Sequence, residues 1–372
     1  MRTLKVAWDN SLASRDKAGT GVYAARLLEQ FADRSDLHLE VLNGWRRNSS
    51  ANGLISRGIG TIADLLWTHA YLPRVLRKMQ ADLLHSPAFI APVMPVPCPV
   101  VVTVHDITYL LFPSHFSRWW VTYMQMVMPP AITSATAIIC GSEHSKRDIA
   151  RTYSISPDKV HVVPYGVDHE RFQPGITLDA NWAGSLGIRA GYVLHVGSFS
   201  YRKNIPTLLR AIARLRSQGK WENRQLVLGG SQDVSMKGAH EVFETIQELE
   251  LDNVVLAGHV PEQHIPGLYA GAAVLVIPSL YEGFGLPVLE AMAAGTPVVA
   301  SNSSSLPEVA ADAAILFPPE DELALTDALA DVLENRSTAD ELRRLGLQRA
   351  RQFSWQRTAE ETVTVYRASV KT

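Results

Sequence analysis

The stretch Pro278–Glu290, PSLYEGFGLPVLE, continuing as AMAAGTPVVAS to Ser301, decides the fold of this chain. A hydrophobic run, AAVLVIP from Ala272 to Pro278, precedes the glycine-rich turn, and a second run, PVVAS, follows the helical segment. Strand, glycine turn, helix and strand in that order form a βαβ unit whose turn presents backbone N–H groups at a helix N-terminus. Gly283, Phe284, Gly285 and Leu286 supply those donors, and Glu282 and Glu290 stand eight positions apart on either side of them. Amide donors with a helix dipole suit phosphate, and carboxylates suit neutral hydroxyls. A phosphorylated, hydroxyl-rich ligand such as a sugar nucleotide meets both requirements.

Working outward, the same alternation fills the chain. In the first half strands are expected at Leu4–Asp9, Leu37–Leu42, Leu83–Ser86, Val100–Val104, Ala135–Cys140 and Val160–Val163. In the second half they are expected at Tyr192–Val196, Gln225–Leu228, Val254–Ala257, Val274–Ile277, Val298–Ala300 and Ala314–Leu316. Amphipathic helical patterns such as Val22–Ala32 and Ser145–Tyr153 lie between them. Strands apolar on both faces, alternating with helices, indicate parallel sheets covered on both sides. The polar, weakly periodic segment Asp168–Gly191 separates the halves. The expected organisation is α/β, with two Rossmann-like doubly wound domains facing a cleft: residues 1–170, an acceptor-binding domain, and residues 171–353, a donor-binding domain. A final helix, residues 354–372, is expected to pack back on the first domain.

Composition narrows the function classes. At 372 residues the chain can build two cores, and 47% hydrophobic with 19% charged residues describes an ordinary globular protein. A net charge of −2 favours no nucleic-acid partner. Cys98 and Cys140, far apart in sequence, read as free thiols of a reducing cytoplasm. The N-terminal MRTLKVAWDN runs straight into a strand without a signal-peptide core, and no apolar run is long enough to span a bilayer.

The central stretch resembles the E-x7-E motif of retaining glycosyltransferases of family 4, which share the GT-B fold. Further segments match in family order: AGTGVY (Ala18 to Tyr23), TVHDIT (Thr103 to Thr108), GSEHSKRDI (Gly141 to Ile149), PYGVD (Pro164 to Asp168), GSFSYRKN (Gly197 to Asn204) and LPEVAADAAILFPPED (Leu306 to Asp321). The HDIT and RKN branch is similar to bacterial mannosyltransferases of O-antigen and exopolysaccharide assembly. The resemblance implies hexosyl transfer, with GDP-mannose as the first donor expected, to a glycan or lipid-linked saccharide. A GT-B sugar-nucleotide epimerase and a silent nucleotide-sugar-binding subunit share this architecture and stand as alternatives.

The resemblance also implies roles for individual residues. Loss of a nucleoside diphosphate requires its charge to be neutralised by a metal or by fixed cations. No D-x-D metal-holding triplet occurs in the sequence, and Arg202 and Lys203 match the family's diphosphate-binding pair. No metal or other cofactor is therefore expected. Ser198 occupies a position where many relatives carry another arginine, so this chain brings one cation fewer. Glu290 is expected on the ribose and Glu282 near the donor sugar. Gly19 and Gly21 are expected in a glycine loop over the donor phosphates, because a dinucleotide fingerprint would follow the first strand directly and a polar loop of about ten residues intervenes. His105 is expected to touch the transferred sugar; Asp106, Ser142 and Lys146 fall on the acceptor side. Retaining members of this fold are usually given a front-face mechanism without an enzymic nucleophile. The paired acids also suggest a glycosidase, but eight residues of helix span about 12 Å, beyond the roughly 5–9.5 Å of hydrolytic carboxylates; the intervening turn keeps that distance open.

Two stretches bear on the acceptor and on location. Thr61–Gln80 mixes Leu65, Trp67, Tyr71, Leu72 and Val75 with Arg74, Arg77 and Lys78, and His115–Pro130 carries Phe116, Trp119, Trp120, Tyr123, Met124, Val127 and Met128. Helices packed on the first sheet explain both; peripheral contact with the inner face of the cytoplasmic membrane is the functional alternative.

Overall fold

The computed structural model describes residues 2–15, 19–45, 63–116, 118–233 and 238–371. The start of the AGTGVY match, Ala18, and the start of the first amphipathic stretch, Thr61, lie outside the described residues. The chain divides into two compact units. One comprises residues 1–110, 119–165 and 355–372, and the other residues 111–118 and 166–354.

The first unit is built on a six-stranded parallel sheet with the order β2-β1-β3-β4-β5-β6. Its strands are β1 (Leu4–Asp9), β2 (Leu37–Leu42), β3 (Leu83–Ser86), β4 (Val100–Thr103), β5 (Ala137–Cys140) and β6 (Val160–Val162). The central strands β3, β4 and β5 are buried along their whole length, so they read as unbroken apolar runs. Gly19–Ala32 is helical throughout, so Gly19 and Gly21 lie in the helix's first turn. Its apolar positions Tyr23, Ala24, Leu27 and Phe31 recur at helical spacing and turn inward. The last helix, Trp355–Lys371, belongs to this unit, with Trp355, Thr358, Ala359, Thr362, Val363 and Tyr366 buried.

The second unit carries the sheet β12-β11-β10-β7-β8-β9, again all parallel. Its strands are β7 (Tyr192–Val196), β8 (Leu226–Gly229), β9 (Val254–Gly258), β10 (Ala272–Ile277), β11 (Val298–Ser301) and β12 (Ile315–Phe317). Leu208, Leu209, Ile212 and Leu215 of helix Ile205–Ser217 and Leu325, Leu329 and Val332 of helix Glu322–Glu334 close one core with Val274, Val276 and Val299. In this sheet the strand order reverses between β7 and β10, and such a switch point opens a crevice at the carboxyl ends of the strands.

The second amphipathic stretch divides. Residues 119–134 of helix Arg118–Ser134 belong to the first unit, whereas residues 111–118 cluster with the second. There the His115 ring stacks on Tyr201 with centroids 3.9 Å apart, and Phe112 meets Tyr281 edge-on. Cys98 and Cys140 are both free thiols, and among the described residues no helix is long and apolar enough to cross a membrane.

Candidate functional site

The carboxyl ends of β7 and β10 are adjacent, and their loops build the site. After β7 the chain runs through Gly197 to a single 3-10 turn, Tyr201–Lys203, which ends at Asn204 in the left-handed region at φ 52°. The Asn204 side-chain amide donates to the carbonyls of Pro278 and Pro319, at 3.1 and 2.6 Å. The Leu280 N–H donates to the Arg202 carbonyl at 2.7 Å. The Pro278 and Leu280 bonds tie the cationic turn to the loop after β10, which carries Glu282, and the Pro319 bond ties it to the segment after β12. Beneath the turn, Gly230 has φ +135°, and a Cβ there would stand 2.0 Å from the Gly197 carbonyl oxygen. Only glycine allows that approach.

Arg202, Lys203 and Glu282 form one charged cluster. Lys203 Nζ donates to Glu282 Oε1 at 2.5 Å, and Arg202 Nη1 donates to Glu282 Oε2 at 2.9 Å and to the Tyr281 carbonyl at 3.1 Å. Ser279 Oγ adds a third donor to Glu282 Oε1 at 2.7 Å. Glu282 and Lys203 are buried, at 7% and 6% exposure. Burial by itself would raise the Glu282 carboxyl, but the Lys203 and Arg202 charges outweigh it and hold the carboxyl at about 2. Two cations against one anion leave this cluster electropositive. It can accept a further anion, with Arg202 the more exposed of the two cations.

The loops around the cluster are pinned by hydroxyls. The Glu282 N–H donates to Ser304 Oγ, and Ser305 Oγ donates to the carbonyls of Glu282 and Phe284. Gly285, at φ +115°, is the N-cap of helix Leu286–Ala293, so the Gly283–Leu286 segment singled out above runs directly into that helix's first turn. Glu290 sits in that helix and accepts from Tyr269 OH at 2.8 Å. His195, fully buried on β7, donates through Nδ1 to the Val276 carbonyl; burial first, then the Lys203 charge, lowers its imidazole to about 4. Ser198 Oγ bonds Ser200 Oγ at 3.3 Å.

The remaining candidates are in the first unit. His105 Nε2 donates to the Pro87 carbonyl at 2.9 Å, which leaves Nδ1 to accept from Tyr165 OH at 2.7 Å. Burial raises the Tyr165 hydroxyl far above its ordinary range, so it remains the donor. Both ring nitrogens of His105 are thus engaged inside the protein. Asp106 Oδ1 caps the next turn, accepting from Thr108 N and Oγ1 at 3.0 and 2.6 Å. Ser142 is the N-cap of helix Glu143–Tyr153, accepting from Ser145 N, and Lys146 lies one turn further on.

The structure brings Arg202, Lys203, Glu282 and the Gly283–Leu286 turn together on adjacent loops. Reading residues one motif at a time assigned Glu282 and the two cations separate partners and missed their mutual pairing. It also missed Tyr269, His195 and the serines 279, 304 and 305. The run SNSSS at 301–305, following β11 at its carboxyl end, was the available signal for the last of these. Among the described residues, no three histidine, cysteine or carboxylate side chains converge as metal ligands.

Comparisons with known proteins cover both units. A model of the group 1 glycosyl transferases matches residues 185–349, and one of glycosyltransferase family 4 matches residues 18–171. The O-antigen chain mannosyltransferase B of Escherichia coli is 32% identical over 272 residues, covering 72% of this chain and 70% of that protein. The MMP alpha-(1->4)-mannosyltransferase of Mycolicibacterium hassiacum is 35% identical over 262 residues, which are 68% of this chain but only 59% of that protein. Among solved structures, sucrose-phosphate synthase from Thermosynechococcus elongatus superposes with a TM-score of 0.77 at 21% identity, covering 98% of each chain. HepE of Anabaena in complex with UDP-glucose superposes with a TM-score of 0.73 at 18% identity, covering 98% of this chain and 100% of that one. Paired sheets of GT-B type and sequence matches running through both units lead to one conclusion: the chain belongs to the group 1 glycosyltransferases of family 4.

Proposed function

We propose that this protein transfers a hexosyl group, mannose from GDP-mannose, to a glycan or lipid-linked saccharide, with retention of configuration and without a metal. The observation that carries the reading is the Arg202–Lys203–Glu282 cluster at the β7/β10 switch point, next to the turn that opens the helix bearing Glu290. A diphosphate would approach Arg202 and Lys203, replacing part of the Glu282 contact, and the two cations would stabilise charge on the departing nucleotide. Donors of this kind act most strongly where charge develops, and each is worth on the order of 10²–10³ in kcat. They occupy the role a metal would otherwise fill. Glu290 would hold the ribose and Glu282, released in part from its cations, the donor sugar. His105, in the first unit, would contact sugar through its backbone or ring edge, since both nitrogens are bonded. Mannose is preferred because two similar proteins are named mannosyltransferases.

Location at the inner face of the cytoplasmic membrane belongs to the same reading. Trp119 and Met126 stand exposed on helix Arg118–Ser134, and Arg74, Arg77 and Lys78 stand exposed on helix Leu72–Met79. Failure to sediment with anionic liposomes at low salt would count against it.

The test is a thermal-shift panel of GDP-, UDP- and ADP-sugars with and without EDTA, followed by NMR of the product's anomeric configuration. Ligands that bind only the folded state raise the melting temperature by mass action. Stabilisation by GDP-mannose that survives EDTA, and a retained anomer, are expected. A preference for another nucleotide, loss of binding with EDTA or an inverted product would each overturn the corresponding part.

A further inference from the structure

At the carboxyl ends of β1 and β2, in the first unit, three aromatic rings converge. Trp67 and Tyr71 have centroids 5.4 Å apart, Trp45 and Tyr71 5.7 Å, and Trp45 and Trp67 6.1 Å. Trp67 is buried, but Trp45 and Tyr71 are 41% and 46% exposed, so the cluster ends in open aromatic surface. Rings grouped only to fill a core would bury those faces.

The cluster is built and held. Trp67 and Tyr71 stand at the two ends of a five-residue π-helical turn, Trp67–Tyr71, which runs straight into helix Leu72–Met79. Such turns are rare, cost hydrogen-bond geometry and gather at functional positions. Trp67 Nε1 donates at 3.2 Å to the carboxylate of Asp9, the last residue of β1, which is 4% exposed and also accepts from the Ser11 N–H. Burial pushes the Asp9 carboxyl above its ordinary range, partly offset by the Ser11 and Trp67 bonds. Gly44, at φ +63°, lets the chain after β2 close onto this wall: a Cβ there would stand 2.7 Å from Ser11 Cβ and 3.7 Å from Trp67 Cδ2. Asn10, next to Asp9, and Asn43, next to Gly44, are joined Nδ2 to Oδ1 at 3.2 Å, and their side-chain amides keep polar capacity to spare.

An open aromatic platform beside side-chain amides matches one ligand chemistry well. A pyranose presents a face of axial C–H bonds to a ring and equatorial hydroxyls to amides at its rim. Tyrosine and tryptophan suit such a place, apolar on their faces and wet at one end. We infer that Trp45, Tyr71 and Trp67, with Asn10 and Asn43 at the rim, form a saccharide subsite that holds a sugar ring of the acceptor. This rests on the glycosyltransferase reading above and specifies where the first unit grips its carbohydrate. Trp67 and Asp9 position the platform, and the exposed rings of Trp45 and Tyr71 make the contact.

Saturation-transfer-difference NMR with methyl α-mannoside, methyl α-glucoside and mannobiose, on wild type, Trp45→Ala and Tyr71→Ala, tests the subsite without any donor. Both side chains are exposed, so neither variant threatens folding. Thermal shifts with GDP-mannose and UDP-glucose on the same samples read the donor site separately. The expected result is binding of at least one saccharide by wild type, weakened about tenfold in each variant, with unchanged nucleotide-sugar shifts. Equal saccharide binding by wild type and both variants would overturn the inference. So would a wild type that binds nucleotide sugars but none of the three saccharides. Saccharide binding lost in the variants, with no nucleotide sugar stabilising any sample, would uphold the subsite and sink the donor reading instead.

Discussion

Replacing Glu282 by Gln keeps the shape of the side chain and removes the charge that joins Arg202 and Lys203. Three donors converge on that carboxylate, from Lys203 Nζ, Arg202 Nη1 and Ser279 Oγ. A glutamine carbonyl cannot serve all of them, and its amide would turn N–H groups toward a buried ammonium. The cost can be worked from the titration of Glu282. Its carboxyl lies at about 2 in the folded protein against an ordinary 4.5. Each pH unit of that difference is worth about 1.4 kcal/mol, so the charged form contributes about 3 kcal/mol. The folded value is the lower one, so this contribution is fully present above pH 4.5 and disappears only as pH falls from there towards 2. Breaking a buried ion pair from one side costs a similar 3–5 kcal/mol. At pH 7 the loss corresponds to roughly 6–12 °C in melting temperature for a unit of this size. Differential scanning fluorimetry with and without GDP is the assay. A diphosphate brings anionic charge back to Lys203 and Arg202, so GDP should raise the melting temperature of the variant more than that of wild type. A ligand-free Glu282→Gln protein melting with wild type would refute the ion-pair energetics. A smaller GDP shift in the variant would refute the idea that the two cations exchange Glu282 for phosphate.

Three other outcomes follow from the same geometry. Gly230→Ala forces a Cβ to within 2.0 Å of the Gly197 carbonyl at a φ of +135°; chemical denaturation should show a loss of more than about 3 kcal/mol, or no soluble protein. His195 and His85 are buried and neutral, lowered by burial to about 4 and about 3. The unfolded chain takes up their protons first, so urea midpoints should fall steadily as pH drops from about 6.5 towards 4, and His195→Gln should flatten part of that slope. Glu290→Ala removes the acceptor of the Tyr269 hydroxyl and, in the proposed role, the ribose contact; calorimetry should show GDP binding weakened about tenfold or more, and unchanged affinity would remove Glu290 from the donor site.

The alternation of apolar runs with helical patterns is local information, and it determined all twelve strands to within two residues at each end. Strand periodicity, glycine turns and helix caps act over a few positions, so they can be read directly. The same holds for the turn after β10 and for the cations after β7, each of which follows a recognisable buried strand. Pairing between these loops is a different matter. Lys203 and Glu282 stand 79 residues apart, and they meet because β7 and β10 are neighbours across the switch point. Strand order is settled by packing of whole helices and sheets, which no short window encodes. For that reason tertiary structure alone showed that Glu282 is held at about 2 by its two cations, that both nitrogens of His105 are already bonded, and that Gly19 and Gly21 open a helix. It alone gathered Trp45, Trp67 and Tyr71 over Asp9. Two of those rings lie in a stretch whose composition reads first as core packing, with a membrane face as the alternative, and the choice between such readings depends on which side chains remain exposed once β1 and β2 have paired.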